Sequence, residues 1–198
     1  MFPFRSRKIS KRDEKKLYSI QSNEKVAEEV EGIVYKMTEI FRKHESNDII
    51  ILCIGSDLSI GDSLGPLVGT MLKDSQVPYQ VYGTLKDPVH AQNLELVLKE
   101  INKKFKEPFI FGIDASLGDK SKIGCIILEE GPLLPGRALK KTLPEIGEYH
   151  IKAIVNDLNY SSPTKFLENT RLYTVMNMAT IIATIILQTA VLRNSPLK

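Results

Sequence analysis

Hydrophobic positions along the chain follow two spacings in turn, and these predict helices and strands. Apolar residues recur every three or four positions in four segments, the spacing of a helix with one buried face. These segments are residues 23–44, 64–73, 91–105 and 171–193. Short apolar runs typical of buried strands occupy residues 49–54, 79–82, 109–113, 123–129 and 151–155. The alternation predicts a three-layer α/β/α domain with a mostly parallel central sheet.

The two ends of the chain differ in composition. Residues 1–22 are polar and basic, so we expect a flexible N-terminal tail there. Residues 23–198 are expected to form one α/β domain, because a chain of 198 residues suits a single domain and no repeat or linker divides it. Within this domain the sequence predicts a long loop rich in Pro and Gly over residues 131–147 and a short helix over residues 163–168.

The last predicted helix is apolar enough to raise the question of a membrane span. No residue from Leu172 to Leu192 is charged, and this length could cross a bilayer. The stretch also contains Asn177, Gln188 and four threonines, whose polar groups would need partners in lipid. We therefore expect a buried helix packed on the sheet and no association with a membrane.

Composition and charge narrow the classes of partner and compartment. The formal charge of +3 comes mostly from the N-terminal tail, which lacks the aromatic residues of a single-strand binder, so no nucleic-acid partner is expected. Cys53 and Cys125 lie in apolar runs and are expected to be core residues rather than a disulfide. Free thiols, together with an N-terminus that lacks a signal-peptide apolar region, predict a cytoplasmic protein.

The segment at residues 53–66, Cys-Ile-Gly-Ser-Asp-Leu-Ser-Ile-Gly-Asp-Ser-Leu-Gly-Pro, carries the strongest chemical signal. It predicts a strand, a glycine-rich loop and a helix, the order of an active-site loop in an α/β protein. Phosphate-binding loops offer lysine or bare amides, whereas this loop has two acids, Asp57 and Asp62, and no base. The loop is therefore expected to serve acid chemistry or to bind a cation.

A second acid, Asp114, follows the predicted strand at residues 109–113. Because the carboxyl ends of parallel strands meet at one edge of a sheet, Asp62 and Asp114 can face each other across a single crevice. Such a pair either shares a proton or holds a metal ion, and both arrangements suit amide hydrolysis. Local roles remain open: Asp62 or Ser63 as a helix cap, Asp57 as a turn residue, and Asp114 as a partner of loop amides.

Other chemistries have weaker support in the sequence. No Gly-x-Ser-x-Gly elbow, dinucleotide fingerprint or Walker lysine is present, so a serine hydrolase and a nucleotide binder are disfavoured. Three histidines do not form a cluster with metal-ligand spacing. His150, next to the last predicted strand, is the candidate for a third site residue.

The chain resembles the germination-protease-like family of spore-forming bacteria over roughly residues 45–193. The resemblance lies in Ile-Gly-Ser-Asp-Leu-Ser-Ile-Gly-Asp-Ser-Leu-Gly-Pro-Leu-Val-Gly at residues 54–69 and in Gly-Ile-Asp-Ala-Ser-Leu-Gly at residues 112–118. Further matches are Gly-Pro-Leu-Leu-Pro-Gly at residues 131–136 and the segment at residues 169–179. The family is similar in fold to the peptidases that mature nickel–iron hydrogenases.

The resemblance implies an aspartic-type endopeptidase of the sporulating cell, with Asp62 and Asp114 as its catalytic pair. Its substrates would be proteins, small acid-soluble spore proteins among them, and Gly61 and Gly65 would let the loop backbone approach the substrate. No cofactor is expected in this reading. The alternatives are a nickel-dependent maturation peptidase, with Asp62, Asp114 and His150 as ligands, and a non-catalytic sporulation module. A homo-oligomer is compatible with each of them.

Overall fold

The computed structural model describes residues 15–22, 26–45, 47–136, 143–157 and 170–195. The strands are β1 Lys15–Gln21, β2 Ile49–Cys53, β3 Gln80–Tyr82, β4 Phe109–Gly118, β5 Cys125–Glu130 and β6 Tyr149–Asp157. The helices are α1 Val26–Lys43, α2 Leu64–Asp74, α3 Leu94–Lys104 and α4 Leu172–Arg193. Single 3-10 turns lie at Ile60–Asp62 and Lys120–Lys122.

The strands form one six-stranded sheet in the order β1-β5-β6-β4-β2-β3. Strands β3, β2, β4 and β6 are mutually parallel, whereas β5 is antiparallel to both of its neighbours, β6 and β1. Only a short 3-10 segment joins β4 to β5, so the chain reverses there instead of crossing over through a helix. The predicted α/β class with a mostly parallel sheet is confirmed.

Helices cover both faces of the sheet and produce three layers. Helices α1, α2 and α4 share one hydrophobic core with Phe109, Phe111 and Ile113 of β4. On the opposite face α3 packs over Ile50 and Leu52 of β2 together with the segments around Leu133 and Ile146. Every residue of β2 is buried, which explains its uninterrupted apolar run.

Helix α4 packs against α1 and α2, as expected for a core helix. Its buried residues include Val175, Met178, Ile182 and Ile186. By length and composition the helix could also cross a membrane, yet half of its most apolar window is buried inside the protein. Such a helix is weak evidence for a membrane span, because the core helix of a soluble domain has the same properties.

The structure corrects three expectations. The flexible tail predicted over residues 1–22 is wrong for Lys15–Gln21, which form the edge strand β1 paired with β5. Strand β4 does not end at Ile113 but continues to Gly118, so Asp114 lies within a strand and not after one. Cys125 is partly exposed and donates its thiol to Gln21 Oε1 at 2.8 Å, whereas Cys53 is buried; both thiols are free. The helix predicted at residues 163–168 lies outside the described residues.

Candidate active site

The junction between β2 and the following loop is the centre of the candidate site. The Ile54 amide donates to the Ile113 carbonyl at 2.8 Å, which extends the ladder between β2 and β4 by one residue. The Gly55 amide turns away and donates to the Val89 carbonyl, also at 2.8 Å. Gly55 has a φ of +142°, a conformation that side chains other than hydrogen rarely allow. The glycine therefore lets the chain leave the sheet directly beside the middle of β4.

The loop returns over this junction and places Asp62 there. The main-chain carbonyl of Asp62 accepts the Ser56 amide at 3.1 Å and lies so close to Gly55 that a Cβ at position 55 would collide with it. The Asp62 amide in turn donates to the Ser59 carbonyl at 3.0 Å, which closes the 3-10 turn. Asp62 is therefore held by main-chain contacts.

The local roles considered for the loop acids, a helix cap and a turn residue, do not explain the position of Asp62. Ser63 holds the N-cap position of α2, and its hydroxyl donates to the Ile60 carbonyl at 2.8 Å instead of capping the helix. Asp57 lies in the exposed turn, where Ser56 Oγ accepts the Leu58 amide at 3.2 Å. Asp62 is thus not the cap of α2, and Asp57 occupies a solvent-facing turn, as the sequence predicts.

Asp114 approaches the same junction from β4. Side chains alternate between the two faces of a strand, and Phe111 and Ile113 lie in the core beneath α1, α2 and α4. Asp114 therefore alternates with these core residues along β4. Its register partner on the neighbouring strand β6 is Lys152. The Ile54 amide bonds to Ile113, the residue before Asp114, and Asp62 is close enough for its charge to act on Asp114.

Burial raises the pKa of both carboxyl groups. For Asp114, burial and then the negative charge of Asp62 raise the pKa to about 8, against the opposing effects of the Ala115 amide and Lys152. Burial also raises the pKa of Asp62, but the Ser56 backbone and His90 oppose this effect. Two close carboxyls whose environments separate their pKa values form an acid and a base at neutral pH.

The glycine at position 65 has a packing role. Gly65 is buried in the first turn of α2, and a Cβ there would collide with the main chain of Ile54. One turn later Gly69 meets the Gly83 carbonyl in the same way. The helix can therefore lie directly on the ends of β2 and β3 and hold the loop rigidly. Gly61 is buried in the 3-10 turn, and the substrate contacts expected for Gly61 and Gly65 stay predictions.

A second polar cluster, absent from the sequence predictions, lies beside Asp114 on β5 and β6. Glu129 Oε2 accepts Lys152 Nζ at 2.8 Å and His150 Nε2 at 3.0 Å. His150 Nδ1 donates to the Gly131 carbonyl at 2.9 Å. The His150 hydrogen bond, followed by Lys152, lowers the pKa of Glu129 to about 2. Charged residues within the apolar runs of β5 and β6 were the sequence signal for this cluster.

His150 does not join the two aspartates as a metal ligand. Its side chain is fully buried, and both of its ring nitrogens face hydrogen-bond acceptors. A histidine binds a metal through a nitrogen lone pair, which this arrangement does not offer. Across the part of the chain that the structure describes, no group of three or more His, Cys, Asp or Glu residues could hold a metal ion. The residues present do not fit the nickel site.

The histidine that does approach Asp62 is His90, which the sequence predictions left aside. It follows Val89, whose carbonyl holds Gly55 and which forms a parallel bridge with Ile54. Its ring is partly exposed. The signal in the sequence was weak, because an isolated histidine near a helix start is usually a surface residue.

A cavity and several exposed apolar side chains lie elsewhere on the described surface. The cavity, of about 650 Å³, runs along the edge strand β3 between α2 and α3; Val89 lines it, but neither Asp62 nor Asp114 does. Leu58, at the tip of the Asp62 loop, is 94% exposed. The N-terminal turns of α4 carry further exposed apolar residues, Leu172, Tyr173 and Met176.

The fold and this geometry define an α/β protein with a mostly parallel sheet and two aspartates close enough to interact, Asp62 in the loop after β2 and Asp114 within β4. The chain belongs to the family described as "Protein of unknown function (DUF1256)", whose model matches residues 19–185. It is also similar to the "Uncharacterized protein YyaC" of Bacillus subtilis (strain 168). The two are 41% identical over 176 residues, which cover 88% of this chain and 84% of the relative.

Proposed function

We propose that this protein is an aspartic-type endopeptidase of the sporulating cell that hydrolyses peptide bonds in spore proteins. The observation that carries the proposal is the pairing of Asp62 with Asp114, in which burial and the neighbouring charge raise the pKa of Asp114 to about 8. A carboxyl that keeps its proton at neutral pH beside one that loses it more readily is what acid–base hydrolysis of an amide requires.

The two carboxyls would divide the reaction between them. The Asp62 carboxylate would take a proton from a water molecule, and the resulting hydroxide would attack the scissile carbonyl carbon. Protonated Asp114 would donate its proton to the carbonyl oxygen as the tetrahedral intermediate forms. Collapse of the intermediate breaks the C–N bond, and the proton taken up by Asp62 passes to the leaving amine. As the new carboxyl group forms, a hydroxyl of the intermediate returns its proton to Asp114, so one proton is again shared by the pair.

The biological setting of the proposal rests on the resemblance to germination-protease-like proteins. The matching segments include both aspartates, at residues 54–69 and 112–118. Small acid-soluble spore proteins are the substrates that this resemblance suggests. Leu58, exposed at the tip of the loop that carries Asp62, is compatible with contact to a polypeptide substrate.

Cleavage of a purified small acid-soluble spore protein, followed by mass spectrometry, tests the proposal. The wild-type protein is expected to cut, and D62N or D114N to cut about 100-fold more slowly or worse. D57N is the matched control, because it removes the same charge from an exposed turn of the same loop. A wild-type protein that cuts nothing, or a double aspartate variant as active as wild type, would contradict the proposal.

A non-catalytic binding module of sporulation is the second candidate, and the exposed apolar residues favour it. Leu58 and the N-terminal turns of α4 present apolar side chains to solvent at the edge that holds the aspartates. Such surfaces are typical of protein contacts. In a strain that lacks the gene, a sporulation defect that the double aspartate variant restores but L58D does not would favour this candidate.

A further inference from the structure

Helix α4 packs against both α1 and α2 in the helical layer on one face of the sheet. It runs in the same direction as α1. At the end of the two helices Arg42 donates to the carbonyls of Leu192 and Ser195 at 2.8 and 3.0 Å, and near their start Asn177 donates to the Ser22 carbonyl at 3.4 Å. The remaining side of α4 faces away from the sheet and from both neighbouring helices, at the outer surface of this layer.

The outer side of α4 lacks the charges that a solvent-facing helix normally carries. From Leu172 to Leu192 the helix contains no charged residue at all. A helix without charge on any side is typical of one that is buried on every side. Yet only half of the most apolar window of α4 is buried, and Tyr173 and Val191 are 74% and 68% exposed. The composition of α4 is therefore that of a helix with a partner on its outer side.

The exposed positions of α4 are arranged symmetrically about the middle of the helix. The outward line of α4 consists of Tyr173, Met176, Thr180, Thr184, Gln188 and Val191. Successive members are three, four, four, four and three residues apart, so the spacing is the same from either end. At a two-fold axis, position i of one copy meets position j of the other, and j meets i. In an antiparallel pair of these helices, Tyr173 would meet Val191, Met176 would meet Gln188, and Thr180 would meet Thr184.

The two central threonines suit a close crossing of helices. Thr180 Oγ1 donates to the Met176 carbonyl at 2.9 Å, and Thr184 Oγ1 donates to the Thr180 carbonyl at 2.8 Å. Both hydroxyl hydrogens are therefore bonded within the helix, and burial of these side chains leaves no donor unpaired. Threonine is also one of the small residues that let two helices approach closely. Larger side chains lie toward both ends of the outward line, where crossing helices diverge and leave more space.

The border of this face suits a second protein molecule better than a membrane. Helix α1, which adjoins α4, carries acids and bases in turn at its solvent-facing positions, which are Glu31, Lys36, Glu39 and Lys43. Lys36 Nζ bonds to Glu39 Oε2 at 2.9 Å. Charges of both signs around an apolar centre form the polar rim of a protein–protein interface. A helix that lies on a membrane surface is instead bordered mainly by Lys and Arg.

The face is large enough for a stable contact between two copies. Helix α4 has 22 residues and is therefore about 33 Å long. Neighbouring helices in a layer lie about 10 Å apart, so α4 and the adjoining sides of α1 and α2 present a face about 25 Å wide. Its area is on the order of the roughly 800 Å² that each partner contributes to a stable interface. Tyr35 of α1 adds another exposed aromatic ring to this side of the protein.

We propose that α4 is the interface of a two-fold symmetric dimer of this chain. The α4 helices of the two copies cross antiparallel, with Thr180 of each copy against Thr184 of the other. The second copy is the occupant that matches the face, because the outward line is symmetric, uncharged and bordered by charges of both signs. Two-fold dimers are also the commonest assemblies of soluble proteins. The proposal is independent of the peptidase activity proposed above.

Sedimentation velocity of the full-length protein at micromolar concentrations tests the dimer. We expect the wild-type protein to be a dimer. T180E and T184K each place an unpaired charge at the helix crossing, and each is expected to weaken dimerisation by about 100-fold or more. Both positions are exposed, so the variants should fold, which circular dichroism checks. L96E is the matched control, because Leu96 is exposed on α3, on the opposite face of the sheet, and this variant should stay a dimer.

An equimolar mixture of T180E and T184K tests the antiparallel register itself. Because position 180 of one copy meets position 184 of the other, the two opposite charges face each other in the mixed dimer, which should form although neither variant dimerises alone. A monomeric wild type, a dimer that persists in both single variants, or a mixture that stays monomeric would overturn the proposal. A monomeric wild type that floats with vesicles of phosphatidylcholine and phosphatidylglycerol, while T180E does not, would assign the face to a membrane instead.

Discussion

His150 Nε2 lies 3.0 Å from Glu129 Oε2 in a position where the histidine side chain has no solvent exposure. The same carboxylate oxygen receives Lys152, which stands opposite Asp114 across β4 and β6. Glu129 therefore accepts hydrogen bonds from two cationic or donor side chains on the strand beside Asp114. Removal of the Glu129 carboxylate would take this hydrogen-bond acceptor from His150 and Lys152, where little solvent could replace it.

We expect E129Q to lower the free energy of unfolding at pH 7 by about 2–3 kcal/mol, because breaking a buried ion pair strands the remaining charges. The pKa of Glu129 is lowered in the folded state to about 2. Because folding lowers the pKa of Glu129, its ionised carboxylate stabilises the folded state at pH values above its pKa in the unfolded chain. This stabilisation is lost as the pH falls toward 2. Urea unfolding of both proteins at pH 7 and pH 3 measures the difference, which should shrink at pH 3. If E129Q changed the free energy of unfolding by the same amount at pH 7 and pH 3, the stabilising effect of ionised Glu129 would be contradicted.

Peptide cleavage by this protein, if the proposal holds, should have a bell-shaped pH dependence. The mechanism needs ionised Asp62 and protonated Asp114, and the pKa of Asp114 is raised to about 8. Activity is therefore expected to fall above about pH 8 as Asp114 loses its proton. It should also fall on the acid side, at a midpoint above the usual range of an aspartate, because burial raises the pKa of Asp62. A profile of kcat/KM that keeps rising to pH 10 would contradict this assignment.

D114N should make the protein more stable and less active. Since the folded pKa of Asp114 is raised, its contribution to stability is complete below the unfolded pKa and is lost as the pH rises through about 8. Asparagine resembles the protonated acid and does not ionise, so D114N should gain about 2 kcal/mol over wild type by pH 8. Thermal unfolding from pH 4 to pH 9 measures this gain, which should grow with pH. D57N, in an exposed turn, should show no such trend.

G65A should destabilise the fold more than an equivalent change in another helix. The new Cβ would collide with the Ile54 main chain, which cannot rotate away, and we expect a loss of about 3 kcal/mol. At Gly32 of α1 the Cβ would meet the end of the Tyr18 side chain on the edge strand β1, which can move. Because alanine also favours a helix by about 1 kcal/mol over glycine, G32A should cost less than G65A. Equal losses in chemical denaturation would show that the contact at Ile54 is unimportant.

The elements that the sequence predicts well are those with a strong apolar pattern. Helices α1, α2 and α4 and the central strands follow directly from their spacing, since both faces of the sheet are covered and most of the buried strand residues are apolar. Strand β1 was missed because an edge strand with Lys15 and Lys16 at its start has the polar character of a tail. The end of β4 was placed too early for a related reason: Asp114 interrupts an apolar run without ending the strand.

The proximity of the two aspartates could be predicted from the sequence, whereas their role in catalysis stays a prediction. Asp62 and Asp114 could be paired from the sequence, because the carboxyl ends of parallel strands share an edge and each acid follows an apolar run. His150 was assigned to the wrong environment, since the residue opposite it across β5 and β6 is Glu129, and that pairing depends on strand register. His90 was passed over because its proximity to Asp62 arises from a bridge between Val89 and Ile54, residues far apart in the chain.

The sequence by itself determined the fold class, the glycine-rich loop and the two acids, because local periodicity and residue type decide which segments are buried and which carry charge. Only the tertiary structure decided which side chains act on those acids. Strand order and register place Lys152 across from Asp114, bind His150 to Glu129 and bring His90 to Asp62. These are contacts between segments distant in the chain, and no local pattern encodes a distance between such segments. The same packing supplies the burial that raises the pKa of both aspartates.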